Sequence, residues 1–101
     1  MRLIPRDIEK IKRIFNERIS HSYDLRLFGS RLDDNKLGGD IDLLLIVGEE
    51  NLEVTKNLRH EIIDDLHGAI GEQKIDLIIT TQDKISNDVF LSSIQDEAKI
   101  L

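Results

Sequence analysis

Asp40 and Asp42 stand two residues apart at the head of the run Asp40–Val47, which ends in Leu43, Leu44, Leu45, Ile46 and Val47. Residues i and i+2 of a strand share a face, so both carboxylates would project together at the mouth of a buried strand. A carboxylate taken out of water needs a partner, or its pKa moves. A third acid, Asp76, sits near the start of a second apolar run, KIDLIIT, from Lys74 to Thr80. Three carboxylates brought together repel each other, and a multivalent cation or a set of raised pKa values relieves that. Oxygen-only ligands favour hard ions, which makes Mg2+ the natural guest and Mn2+ a substitute. Mg2+ prefers one or two carboxylates completed by substrate phosphates. Gly29 and Ser30 have the composition of a phosphate grip: glycine lets the backbone approach closely, serine adds a hydroxyl, and amides opening a turn point at anions. Together these groups point to phosphoryl or nucleotidyl transfer by the two-metal route.

These residues meet only if the elements carrying them converge. Ile8, Ile11, Ile14, Phe15 and Ile19 recur at spacings of three and four, which predicts an amphipathic helix from Pro5 to about Ile19, with Pro5 suited to its first turn. Tyr23–Phe28 alternates as a strand, and a polar loop from Arg31 to Gly39 leads into the second strand, Asp40–Val47. A long helix follows from Leu52 to Ile70, with Leu58, Ile62, Ile63, Leu66 and Ile70 on its apolar arc and Gly71 as its stop. Lys74–Thr80 is the third strand. Ser86 or Asn87 then caps a last helix bearing Val89, Phe90, Ile94 and Ala98. Two strands flanking a helix of crossover length are expected to be parallel with a right-handed connection. Asp76 then lies level with Asp40 and Asp42. If the first strand runs antiparallel to the second, Gly29 and Ser30 arrive at the same edge. The expected fold is a small α/β domain, a mixed sheet of three or four strands with helices packed on it.

The bulk numbers agree with one domain, residues 1–101, and one core. No apolar run approaches the ~20 residues that span a bilayer. The opening MRLIPRDIEK lacks the apolar centre of a signal peptide, and the chain has no cysteine, so a cytoplasmic location is expected. A net charge of −6 disfavours a large nucleic-acid footprint, which needs Lys and Arg to displace counterions. Residues 1–18 carry six basic groups against three acids, so the remainder is the strongly acidic part. That basic stretch reads as a solvated helix face, with docking of an acidic partner as the alternative.

GSRLDDNKLGGDIDLLLIV followed by KIDLII resembles the nucleotidyltransferase superfamily that includes DNA polymerase beta, and within it the minimal, single-domain nucleotidyltransferases encoded beside small helical HEPN proteins as toxin–antitoxin pairs. The resemblance covers nearly the whole chain: Gly29-Ser30, nine intervening residues, Asp40-Ile41-Asp42, then Asp76 on a later strand. It implies that Asp40 and Asp42 ligate two Mg2+ ions holding a triphosphate. Asp76 would complete the second metal site and help a substrate hydroxyl lose its proton. Gly29 and Ser30, with Arg31 beside them, would hold the β- and γ-phosphates. It further implies transfer of a nucleotide, AMP from ATP, to a hydroxyl of a HEPN-type partner protein, with homo- or hetero-oligomers. The chain departs from its relatives after the Gly-Ser pair. Many continue with Arg-Gly, whereas Arg31 here precedes Leu32, Asp33, Asp34 and Asn35. Two added acids oppose triphosphate binding, and Arg31 and Lys36 offset them. A catalytically degenerate module that masks its partner is the alternative reading, and a subunit modifying a small hydroxylated molecule is a third.

Other polar residues read as structural. His60, Asp64 and His67 share a helix face, but Asp64 stands where a zinc-protease helix needs its second histidine, so the face is taken as solvated. Lys56 and Arg59 read as surface groups, Lys74 as a strand-flanking lysine, His21 as a loop residue and Tyr23 as packing.

Overall fold

The computed structural model describes residues 5–29, 41–71 and 74–101. Helix α1 (Pro5–Arg18) precedes strand β1 (Tyr23–Phe28) and strand β2 (Ile41–Val47). A 3-10 turn at Glu49–Asn51 opens α2 (Leu52–Asn57), followed by α3 (Arg59–Ile70) and β3 (Ile75–Thr80). The chain continues through α4 (Gln82–Ser86), α5 (Val89–Glu97) and β4 (Lys99–Ile100). The sheet has four strands in the order β3-β2-β1-β4. β2 and β3 are parallel, while β1 is antiparallel to both β2 and β4.

Alternation within the strands sorts the core into two clusters. Ile41, Leu43, Leu45 and Val47 of β2 join Leu25, Leu27, Ile75, Leu77 and Ile79 under α1 and α3, where Ile11, Phe15, Ile62 and Leu66 are buried. The intervening residues Leu44 and Ile46 face α4 and α5 through Ile85 and Ile94. On the first face α1 is tied to α3 by two polar contacts. Lys10 Nζ donates to Ala69 O at 3.1 Å in the last turn of α3, where carbonyls favour a cation. Arg18 forks onto Asp65 at 2.6 and 3.1 Å. Their pKa values move accordingly, Asp65 down and Arg18 up.

Three sequence expectations are corrected. The helix expected over Leu52–Ile70 is two helices joined at Leu58 (φ −90°, ψ −4°). The buried Thr55 hydroxyl donates back to Asn51 O at 2.7 Å, a bond that competes with the helical ladder and bends it. The last helical region is likewise two pieces, capped by Thr81, which accepts from Lys84 N–H at 3.2 Å, and by Asp88, which accepts from Leu91 N–H at 3.1 Å. Neither Ser86 nor Asn87 is the N-cap of α5; Ser86 ends α4 and Asn87 is its C-cap. Val89 and Phe90, placed on the apolar face of that helix, are 89% and 69% exposed, because Leu91 and Ile94 are the residues that turn to the sheet. The fourth strand, within the three or four expected, is the two-residue β4, which follows the last helix and adds an edge beside β1, with Leu101 N–H donating to Leu25 O at 3.0 Å.

Candidate active site

The topology brings the ends of three strands to one edge. Phe28, last in β1, pairs with Asp42, and Asp42 pairs with Asp76 across the parallel β2–β3 ladder. Residues in register on adjacent strands share a face at a spacing of ~4.8 Å, so the two carboxylates stand side by side. Their face is that of Leu44, Ile46 and Ile78, the side covered by α4 and α5. Asp42 is half-buried and Asp76 is exposed.

Gly29 follows β1 with φ +80°, a left-handed conformation that glycine adopts without penalty. A Cβ at Gly29 would lie 2.2 Å from Asp42 Oδ2 and 3.0 Å from its Cγ. The absent side chain is therefore what lets the Asp42 carboxylate lie against the β1 turn. Of the residues singled out by spacing, Gly29, Asp42 and Asp76 come together. Asp40, Ser30 and Arg31 lie outside the described residues.

A cavity of about 400 Å³ opens over Asp42 and Asp76, lined also by Phe28, Arg59, Phe90 and Ile94 among others. Arg59 corrects a sequence reading: rather than an ordinary surface group, it is half-buried and shares this cavity with both carboxylates. Its Nη1 donates to the backbone carbonyl of Leu77. The one signal for this in the chain is its spacing, since Arg59 precedes Ile63 by one helical turn and so borders the apolar arc of α3. Phe90 reaches the same cavity through the exposure that the amphipathic pattern failed to anticipate.

The other polar residues lie elsewhere. His60 pairs with Asp64 at 3.2 Å on the solvent side of α3, with side chains 86% and 63% exposed. Lys56 and Lys74 are exposed. His21 Nε2 lies 3.2 Å from the Thr55 hydroxyl. Tyr23 packs its ring 6.3 Å from that of Phe15 and donates to Asn16, and partial burial raises its pKa.

Side-by-side carboxylates fit a hard divalent cation whose remaining positions come from phosphate oxygens and water. Among the described residues no group of three or more acidic, histidine or cysteine side chains is set to hold a metal; Asp42 and Asp76 form a pair.

The fold is a small α/β domain whose mixed sheet carries acids at the matched ends of parallel strands and a glycine turn against one of them. The chain matches the family model of the nucleotidyltransferase domain over residues 8–101, and it belongs to that family. Nucleotidyl transfer from a nucleoside triphosphate, with divalent metal ions, is the general activity of such domains. No curated protein matches the chain.

Proposed function

We propose that this chain is a Mg2+-dependent nucleotidyltransferase that moves AMP from ATP to a hydroxyl of a partner protein, as a minimal nucleotidyltransferase paired with a HEPN-type toxin. We read residues 1–101 as its single domain and the cytoplasm as its location. No described helix is long and apolar enough to cross a membrane. The observation carrying the reading is the register match of Asp42 with Asp76, with Gly29 closed against the Asp42 carboxylate.

In this reading Asp40, Asp42 and Asp76 hold two Mg2+ ions, for which Mn2+ can substitute. When bound, such ions neutralise charge on the triphosphate and acidify the acceptor hydroxyl. Gly29, Ser30 and Arg31 grip the β- and γ-phosphates, and the absence of a side chain at Gly29 lets backbone approach them. Asp76, the more exposed acid, faces the incoming hydroxyl and takes its proton. The acceptor oxygen forms a bond to the α-phosphorus as the bond to the leaving pyrophosphate breaks. Phe90, which lines the cavity and is largely exposed, offers apolar surface to a protein acceptor. Asp33 and Asp34 after the Gly-Ser pair favour the second reading, a degenerate module that masks its partner without chemistry.

ATP labelled on the α-phosphate, incubated with Mg2+, the protein and a lysate of its host, tests the proposal. Label on a discrete protein, lost with Asp76→Asn, is the expected result. No label from any of the four nucleotides, with Mg2+ or Mn2+, leaves the masking module. Asp42→Asn separates the two again, since masking survives that change and transfer does not.

A further inference from the structure

Gly29, Asp42, Asp76 and Arg59 form an ordered row across one edge of the sheet. Strand order places β1 and β2 inside and β3 at the margin. Ile41 N–H donates to Lys74 O at 2.9 Å, so the carbonyls of even-numbered β3 residues face β2. In a parallel ladder the alternate carbonyls then face outward, and Leu77 is one of them. Arg59, bonded to Leu77 O, therefore sits beyond the outer margin of β3. Gly29, at the end of β1, lies on the opposite side of Asp76, about two strand spacings or ~10 Å away.

We propose that Arg59 binds an anionic group of the acceptor protein, carboxylate or phosphate, close to the hydroxyl that receives the nucleotide. The inference rests on the transferase reading above, which puts the triphosphate on the Gly29 side and the acceptor at Asp76. Arg59 and the exposed Phe90 ring both line the cavity that holds Asp76. A guanidinium has five N–H donors in a planar fork, so one bond to Leu77 O orients it and leaves donors for a bidentate anion contact. The same bond holds the fork at the cavity rim, reducing the ordering cost of binding. A cation capping a free strand edge can serve solely to protect that edge, and the test must separate this role.

The experiment compares wild type with Arg59→Gln, Arg59→Lys and Arg59→Glu, using α-labelled ATP and host lysate. ATP is titrated at fixed lysate and lysate at fixed ATP, and thermal midpoints are recorded for each variant. Arg59→Gln is expected to leave the KM for ATP unchanged while raising the half-saturating lysate concentration about tenfold, the scale of one charge-assisted contact. Arg59→Lys should fall between, keeping the charge but losing the fork, and Arg59→Glu should be worst. Phosphatase treatment of the lysate identifies the anion: the dependence on Arg59 disappears for a phosphate and persists for a carboxylate. A raised KM for ATP would place Arg59 on the triphosphate and overturn the assignment. Lower thermal midpoints with both titrations unchanged would leave it an edge cap and overturn it too. Wild type that labels nothing would sink the transferase reading itself, and the inference with it, whatever the variants do.

Discussion

The two faces of the sheet are made from alternate residues of the same strands, yet they carry different loads. Under α1 and α3, Ile41, Leu43 and Leu45 are fully buried, together with Ile11, Phe15, Ile62 and Leu66. Under α4 and α5 the buried set is smaller, Leu44, Ile46, Ile85 and Ile94, and the same alternation ends at Asp42 and Asp76. A strand has period two, so Asp42 and Asp76 share a face with the apolar residues further along, Leu44, Ile46 and Ile78. The closed face supplies packing that holds strand register. The open face can then keep two adjacent carboxylates, a left-handed glycine and an exposed Phe90, none of which favours stability alone.

If that division holds, changes on the two faces should separate activity from stability. The largest effect on activity is expected from Asp76→Asn, with label transfer falling by about 10²–10⁴-fold, the contribution of a positioned general base. Because Asp76 is exposed, urea unfolding of the same variant should shift by no more than about 0.5 kcal/mol. On the closed face the pattern reverses: Leu45→Ala, at a site with no exposure, should cost about 2–5 kcal/mol by urea denaturation. Gly29→Ala tests the boundary between the faces. Its φ of +80° and the 2.2 Å approach to Asp42 Oδ2 should cost more than about 1 kcal/mol and displace the carboxylate, so transfer and thermal midpoint fall together. Phe90→Ser should alter unfolding by less than about 0.5 kcal/mol, since the ring is largely exposed.

The smallest expected effect is electrostatic and lies on the closed face. The hydrogen bond from Arg18 holds the Asp65 carboxyl below its usual pKa. A group depressed in the folded state stabilises it above the unfolded pKa and loses that contribution as pH falls through the folded value. Arg18→Gln should therefore flatten the acid limb of the thermal midpoint below about pH 4, where an unfolded aspartate titrates. Both side chains are solvated, so the change should be slight and should fade with added salt. A large change would mean that this ion pair, rather than burial, ties α1 to α3.

Much of this was determined along the chain itself. Tyr23–Phe28 shows its alternation directly, the apolar runs after Asp42 and Asp76 mark β2 and β3, and Ile11, Phe15, Ile62 and Leu66 recur at helical spacing because a helix buries one stripe. The pairing of Asp42 with Asp76 was legible too, since a helix-length crossover makes the two strands parallel and aligns their starts. Asp40, Ser30 and Arg31 remain sequence candidates.

Tertiary structure decided the rest. The break at Leu58 depends on where the Thr55 hydroxyl finds an acceptor, a local competition that apolar periodicity does not encode. The two residues of β4 carry too little pattern to announce a strand and become one only against Arg26 and Leu27. Phe90 reads as core by type, but Leu91 and Ile94 occupy the surface that α5 turns to the sheet. Arg59 reads as solvent-facing by charge, yet it is drawn over the margin of β3 because the outward carbonyl of Leu77 needs a donor. Spacing along a chain records which residues share an element. Which residues meet across elements is set by how those elements pack, and in this protein that packing places a cation beside the two acids.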